Sequence, residues 1–163
     1  MTDMKSGSQV SATCNVVVMG DISSGARVVA SGNVIVMGRK TLESFPGGKP
    51  LPNRVNIVLT HKKDYNGKGA IVVHSEEELW EELSKYDTEN IFVTGGESIY
   101  HMLLPYCDTA YITRLDYEYQ ADTWMPDLDK EENWSIVEKS EERYCFDLIY
   151  HFTTYKNAVP ELH

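Results

Sequence analysis

The chain has 163 residues, with 15 Lys or Arg against 25 Asp or Glu and a formal net charge of −10. That length suits one domain with a real core, and the charge argues against nucleic acid and anionic membrane as partners. No apolar run reaches the length of a membrane span and no signal-peptide pattern opens the chain, so the expected compartment is the cytoplasm.

Residues 1–13 are small and polar and read as an irregular start. A near-repeat follows, Asn15-Val16-Val17-Val18-Met19-Gly20 and Asn33-Val34-Ile35-Val36-Met37-Gly38, offset by 18 residues. Between the two runs lies Ala26-Arg27-Val28-Val29-Ala30, flanked by Ser-Gly pairs. Short β-branched runs at that period suggest one turn of a β-solenoid, which needs further support because so few repeats are present. From Gly38 the grammar changes. Arg39 to Phe45 reads as a short helix ended by Pro46-Gly47-Gly48, and Lys49 to Arg54 as a proline-framed rigid loop. Val55–Thr60 and Ala70–Val73 read as strands around a polar turn. Ser75 and Glu78 form a capping box for a helix that buries Leu79, Trp80 and Leu83. Ile91–Val93 reads as a strand, Gly95-Gly96 as a turn, and Ile99, Met102 and Leu103 as a helix face ended by Pro105. Ala110–Leu115, Trp134–Glu138 and Cys145–Tyr155 read as strands, the last two as an antiparallel closing pair. Strands alternating with helices predict an α/β fold: a mostly parallel sheet flanked by helices, after an atypical β-rich N-terminal segment.

Two strand-to-helix turns carry the first chemical signal, Gly38-Arg39-Lys40-Thr41 and Gly95-Gly96-Glu97-Ser98. Paired glycines let backbone approach a ligand, and a helix N-terminus offers unpaired N–H groups and partial positive charge. Such turns suit a pyrophosphate, and equally fit a tight turn with no ligand. In a parallel sheet they gather at the carboxyl ends of the strands, where ligands bind. Arg39 and Lys40 add positive charge there; Thr60, His61 and Lys62 end the next strand and stand ready for a further phosphate or for solvent. Arg54 follows a stiff loop, which suits capture of a carboxylate or an ordinary ion pair. Thr113 puts a hydroxyl inside a β run, for a polar ligand or for the backbone. Tyr100 and Tyr111 read as core, and Asp122-Thr123 as a positioned loop or an Asx-type turn. Cys14, Cys107 and Cys145 are widely spaced without a CxxC pair and read as ordinary thiols, with no disulfide framework or zinc site. The five histidines form no metal-ligand pattern.

Residues 32–157 closely resemble a bacterial dihydrofolate reductase. The segments that carry the resemblance are Val34-Ile35-Val36-Met37-Gly38-Arg39-Lys40-Thr41, Pro50-Leu51-Pro52-Asn53-Arg54, Val93-Thr94-Gly95-Gly96, Tyr111-Ile112-Thr113, Asp122-Thr123-Trp124-Met125-Pro126 and Tyr144-Cys145-Phe146. The resemblance implies NADPH as hydride donor and dihydrofolate as acceptor, giving tetrahydrofolate. It implies a pyrophosphate site at Gly38, Arg39, Lys40 and Thr41 and at Gly95, Gly96, Glu97, Ser98, Ile99 and Tyr100. It assigns the 2′-phosphate to Arg39, with Thr60, His61 and Lys62 nearby. Arg54 takes the glutamate carboxylate of folate, Phe45 and Leu51 wall the folate cleft, and Thr113 bonds the catalytic carboxylate and the pterin.

The N-terminus departs from that family. Its members begin with a central strand, a loop carrying a Trp, and a helix whose Asp or Glu faces the pterin; none of this is recognisable before Gly32. No Trp precedes Trp80, and only Asp3 and Asp21 are acidic before Glu43. Asp21 is therefore the one weak candidate for the catalytic carboxylate, at a position that reads as a turn. Val16–Met19 is the run that fits the central strand. Residues 4–37 instead resemble part of the C-terminal β-solenoid domain of the septum-site inhibitor MinC, through Lys5-Ser6-Gly7-Ser8-Gln9 and Gly20 to Val36. The chain thus reads as a fusion, with residues 1–31 as a MinC-like segment and 32–163 as a dihydrofolate reductase-like domain. That implies an impaired oxidoreductase or, alternatively, a non-catalytic module with a MinD-like partner.

Overall fold

The computed structural model of the chain describes residues 14–18, 34–118, 120, 121 and 123–163, with backbone alone for 14–18. Expectations for residues 1–13 and 19–33, including Asp21, and for Asp122 lie outside the described residues.

The sheet is built from β1 (Cys14–Val18), β2 (Val34–Gly38), β3 (Val55–Leu59), β4 (Ile71–Val73), β5 (Ile91–Val93), β6 (Cys107–Leu115), β7 (Trp134–Lys139), β8 (Arg143–Cys145) and β9 (Leu148–Asn157). Its order is β4-β3-β2-β5-β1-β6-β9-β7, with β8 on β9. Neighbours from β4 through β6 pair in parallel; β9 pairs antiparallel with β6, β7 and β8. Three helices complete it: α1 (Arg39–Ser44), α2 (Glu76–Leu83) and α3 (Glu97–Leu103).

A parallel strand covered on both faces must be apolar throughout, and β2 shows this. Val34, Ile35, Val36 and Met37 are all at most 2% exposed. Alternate side chains serve opposite faces. Val34 and Val36 join Ile57, Leu79, Trp80, Leu83 and Leu103 on the face under α2 and α3. Ile35 and Met37 join Leu42, Phe45, Val58 and Phe92 on the face under α1. The predicted cap of α2 is present: the Ser75 side chain accepts from the Glu78 amide. The Glu78 carboxylate reaches one residue further back than a standard box and accepts from the His74 amide at 2.7 Å.

β1 is the central strand, between β5 and β6, with Asn15 opposite Phe92 and Val16 opposite Val93. The near-repeat runs therefore share one sheet without touching, because β5 lies between them. Two expectations need correction. The run Cys145–Tyr155 is not one strand. It breaks at Phe146, which has φ +53 and is 99% exposed, so that β8 and β9 form a hairpin. The apolar pattern runs straight through Phe146 and hides the turn. Cys107 is disulfide-bonded, whereas Cys145 is free and exposed. The spacing of the cysteines does not reveal this, and parallel pairing sets the Cys107 backbone in register with that of Cys14, far away in sequence.

Candidate functional site

The carboxyl ends of β2 and β5 lie side by side; β2 runs directly into α1, and β5 leads into α3 through Thr94-Gly95-Gly96. Beyond the paired residues the two segments stay zipped together. The Thr94 amide donates to the Val36 carbonyl at 2.9 Å, and the Gly38 amide donates to the Gly95 carbonyl at 2.7 Å. Gly95 has φ +102, and a Cβ there would lie 2.9 Å from ring atoms of Tyr100. The Gly95–Gly96 peptide is cis. A Cβ on Gly96 would stand 3.6 Å from the Thr41 hydroxyl, and one on Gly38 would stand 3.4 Å from Ile99. The fold thus brings Gly38, Thr41, Gly95, Gly96, Ile99 and Tyr100 together. Neither α1 nor α3 has a side-chain N-cap, so no capping side chain takes up their first amides. Glu97 is half-buried and Ser98 exposed on the first turn of α3.

Two of these residues build the turn from beneath. Ile99 is buried, and burial pushes the Tyr100 phenol well above the ordinary tyrosine range. Their contribution is to hold the glycine turn against the sheet.

The positive charges lie on the same edge. Gly38 pairs with Leu59, so Arg39 and Thr60 leave the sheet together. Arg39 is partly exposed, and its Nη1 donates to both Glu43 carboxylate oxygens, at 3.0 and 2.8 Å. Lys40, His61 and Lys62 are exposed. Thr60 is buried and committed to its own turn. Its hydroxyl accepts from the Lys62 amide at 3.2 Å, and its carbonyl lies 2.8 Å from Nδ1 of His74. Thr60 therefore positions His61 and Lys62.

The acceptor side is assembled differently. Arg54 precedes β3 and so sits at the opposite end of that strand from Thr60, about 20 Å away along it. Asn56, a polar residue inside β3 that has no motif around it, clamps the proline loop. Its side chain is buried, accepts from the Leu51 amide at 3.0 Å, and donates to the carbonyls of Leu51 and Arg54 at 2.9 and 3.1 Å. A cleft opens beside it, lined by Lys49, Leu51, Arg54, Asn56 and Lys68. Lys68, which belongs to no motif in the sequence, donates from its ammonium to the Gly47 carbonyl at 3.1 Å. Phe45 is buried among Ile35, Met37, Leu42, Val58 and Phe92, with Leu51 packed against the group. Thr113 is half-buried on β6, one residue past the Ile112–Val18 pair. It therefore flanks the point where the chain leaves β1 for residues 19–33. No group of three or more His, Cys, Asp or Glu among the described residues is placed to hold a metal ion. No helix among them is long and apolar enough to cross a membrane.

The family model for dihydrofolate reductase matches residues 23–157. The chain belongs to the dihydrofolate reductase family. The dihydrofolate reductase of Bacillus subtilis (strain 168) is 41% identical over 99 residues, 61% of this chain and 56% of that protein. That of Staphylococcus haemolyticus is 36% identical over 116 residues, 69% of this chain and 68% of that protein. Alignment to the first thus spans little more than half of the relative's length. Among solved structures, the dihydrofolate reductase from Enterococcus faecalis, complexed with NADP(H) and RAB-propyl, superposes with TM-score 0.70 at 26% identity. The overlay covers 90% of this chain and 97% of that one. The family model for the C-terminal domain of the septum formation inhibitor MinC matches residues 1–41. The two matches overlap at residues 23–41, around the stretch where the sequence reads as a junction between dihydrofolate reductase and MinC.

Proposed function

We propose that the chain binds NADPH in the cytoplasm and reduces dihydrofolate to tetrahydrofolate, with turnover impaired by the replaced N-terminus. The observation that carries this reading is the joining of the Gly38 and Gly95 turns at 2.7 Å. It merges two strand-to-helix turns into one backbone surface beside Arg39, fit for a pyrophosphate flanked by a further phosphate. Gly38–Thr41 and Gly95–Tyr100 would hold the pyrophosphate, and Arg39, His61 and Lys62 the 2′-phosphate. Arg54 would hold the glutamate carboxylate of the acceptor, fixed through the Asn56 clamp, while Phe45 and Leu51 wall its cleft. When bound, NADPH supplies hydride. The protein's share is to orient the acceptor and bring a proton to the ring nitrogen beside the carbon that is reduced. Thr113 would hold a proton-delivering carboxylate, and Asp21 is the sole acid of residues 19–33.

Titration of the purified protein with NADPH and NADH, followed by nicotinamide fluorescence, tests the cofactor reading. Saturable binding of NADPH is expected. Arg39→Ala should weaken NADPH more than NADH, since only the former carries the phosphate that Arg39 would pair with. Equal losses refute that role, and no saturation at millimolar NADPH refutes the site.

The MinC match over residues 1–41 favours one second reading, a non-catalytic module that docks on a MinD-like partner. Immobilised MinD should then retain the chain while no NADPH is consumed. Passage through such a column, with measurable NADPH oxidation, removes this reading.

A further inference from the structure

The guanidinium assigned to the 2′-phosphate already has an anionic partner. Arg39 and Glu43 stand four residues apart on α1, and both bonds, 3.0 and 2.8 Å, run through the single nitrogen Nη1. The pair is therefore end-on, without the two parallel bonds of a fork-to-fork arrangement. Its side chains are 33% and 46% exposed, so the pair is weak enough to exchange for another anion. Tyr65, in the turn after β3, senses both charges. Burial raises its pKa first, Glu43 adds to the rise and Arg39 opposes it. The pair thus lies near Tyr65, whose amide donates to the Lys62 carbonyl at 3.2 Å in the turn where the extra phosphate of NADPH would lie.

We infer that Glu43 is a specificity-determining residue, which lowers the preference for NADPH over NADH by competing with the 2′-phosphate for Arg39. The inference rests on the proposed NADPH site. Two physical effects act in the same direction. Arg39 must release or share its carboxylate partner before it pairs with phosphate. After release, the Glu43 carboxylate stays within a helical turn of Arg39, because the (i, i+4) spacing holds their Cβ atoms about 6 Å apart, and a like charge beside a phosphate dianion is unfavourable. NADH lacks that phosphate and escapes both effects. A carboxylate that merely oriented Arg39 for the phosphate would act in the opposite direction, so the sign of the effect decides between them.

The test is fluorescence titration of the intact chain and of Glu43→Gln, Glu43→Ala and Arg39→Ala/Glu43→Gln with NADPH and with NADH. Both single variants should bind NADPH about threefold to tenfold more tightly, a range set by the modest strength of exposed pairs plus the relieved repulsion. NADH binding should change by less than about twofold. In the Arg39→Ala background, Glu43→Gln should improve NADPH binding by less than in the unsubstituted chain, because the competition for Arg39 is gone and only the relieved repulsion remains. Glu43 is exposed, so folding should be intact, and a thermal melt of each variant checks this. If the unsubstituted chain binds NADPH but Glu43→Gln leaves the NADPH to NADH ratio unchanged or lower, the inference falls while the site stands. If no chain binds either cofactor, the site itself falls and the inference with it.

Discussion

Purified protein, assayed for NADPH oxidation with dihydrofolate, should run about 10²–10⁴-fold more slowly near neutral pH than the Bacillus subtilis relative assayed beside it. That range is what positioned proton transfer typically contributes. The fifteen residues between β1 and β2 contain one acid, Asp21, and no Trp. They are rich in Gly, Ser and β-branched residues, a poor composition for a helix that would aim a carboxylate at the pterin. Misplacement of the acceptor adds to the loss, because a reactant held off its productive geometry forfeits much of the benefit of proximity. If protonation is the main deficit, solvent must supply the proton, and the residual rate should climb as pH falls from 8 to 5. A flat profile would point to acceptor binding as the deficit. Ordinary enzyme rates at neutral pH, abolished by Asp21→Asn, would mean that Asp21 is the acid after all and that the turnover expectation is wrong.

Gly95→Ala should lower stability by about 2–4 kcal/mol and the melting temperature by roughly 5–15 °C. Two costs combine at this position. The residue has φ +102, which a side chain tolerates poorly, and the new Cβ would lie 2.9 Å from the Tyr100 ring. That ring is buried beneath the turn and has nowhere to retreat. Gly69→Ala separates the two costs, since Gly69 has a similar φ of +104 with nothing within 4 Å of the would-be Cβ. It should lose only about 1–2 kcal/mol. Equal melts for the two variants would show that the Tyr100 contact does not constrain the turn. Because the Gly95 carbonyl also receives the Gly38 amide, Gly95→Ala should weaken NADPH binding in protein that remains folded, whereas Gly69→Ala should not.

Much of the architecture was determined by the sequence alone. The uninterrupted apolar run Val34–Met37 marked a strand, and the structure buries all four residues. Ser75 and Glu78 marked the start of α2 because capping is a local interaction within one turn. The two glycine turns were legible for the same reason: their chemistry lies in consecutive residues.

Tertiary structure decided whatever depends on partners distant in the chain. The near-repeat of residues 15–20 and 33–38 looked like stacked neighbours, yet β5, from beyond residue 90, lies between the two strands. Parallel pairing of β1 with β6 set Cys14 beside Cys107 across more than ninety residues, a relation that spacing does not reveal. Phe146 carried no turn signal, and its positive φ follows from the pairing of β8 with β9. Asn56 looked like a polar interruption of a strand until the proline loop folded back to receive its three hydrogen bonds. Local sequence specifies backbone conformation through neighbours a few residues away, whereas strand order and buried polar pairing are set by which faces can be covered together. The two glycine turns were therefore readable in advance, whereas the Gly38–Gly95 hydrogen bond that joins them follows from the pairing of β2 with β5.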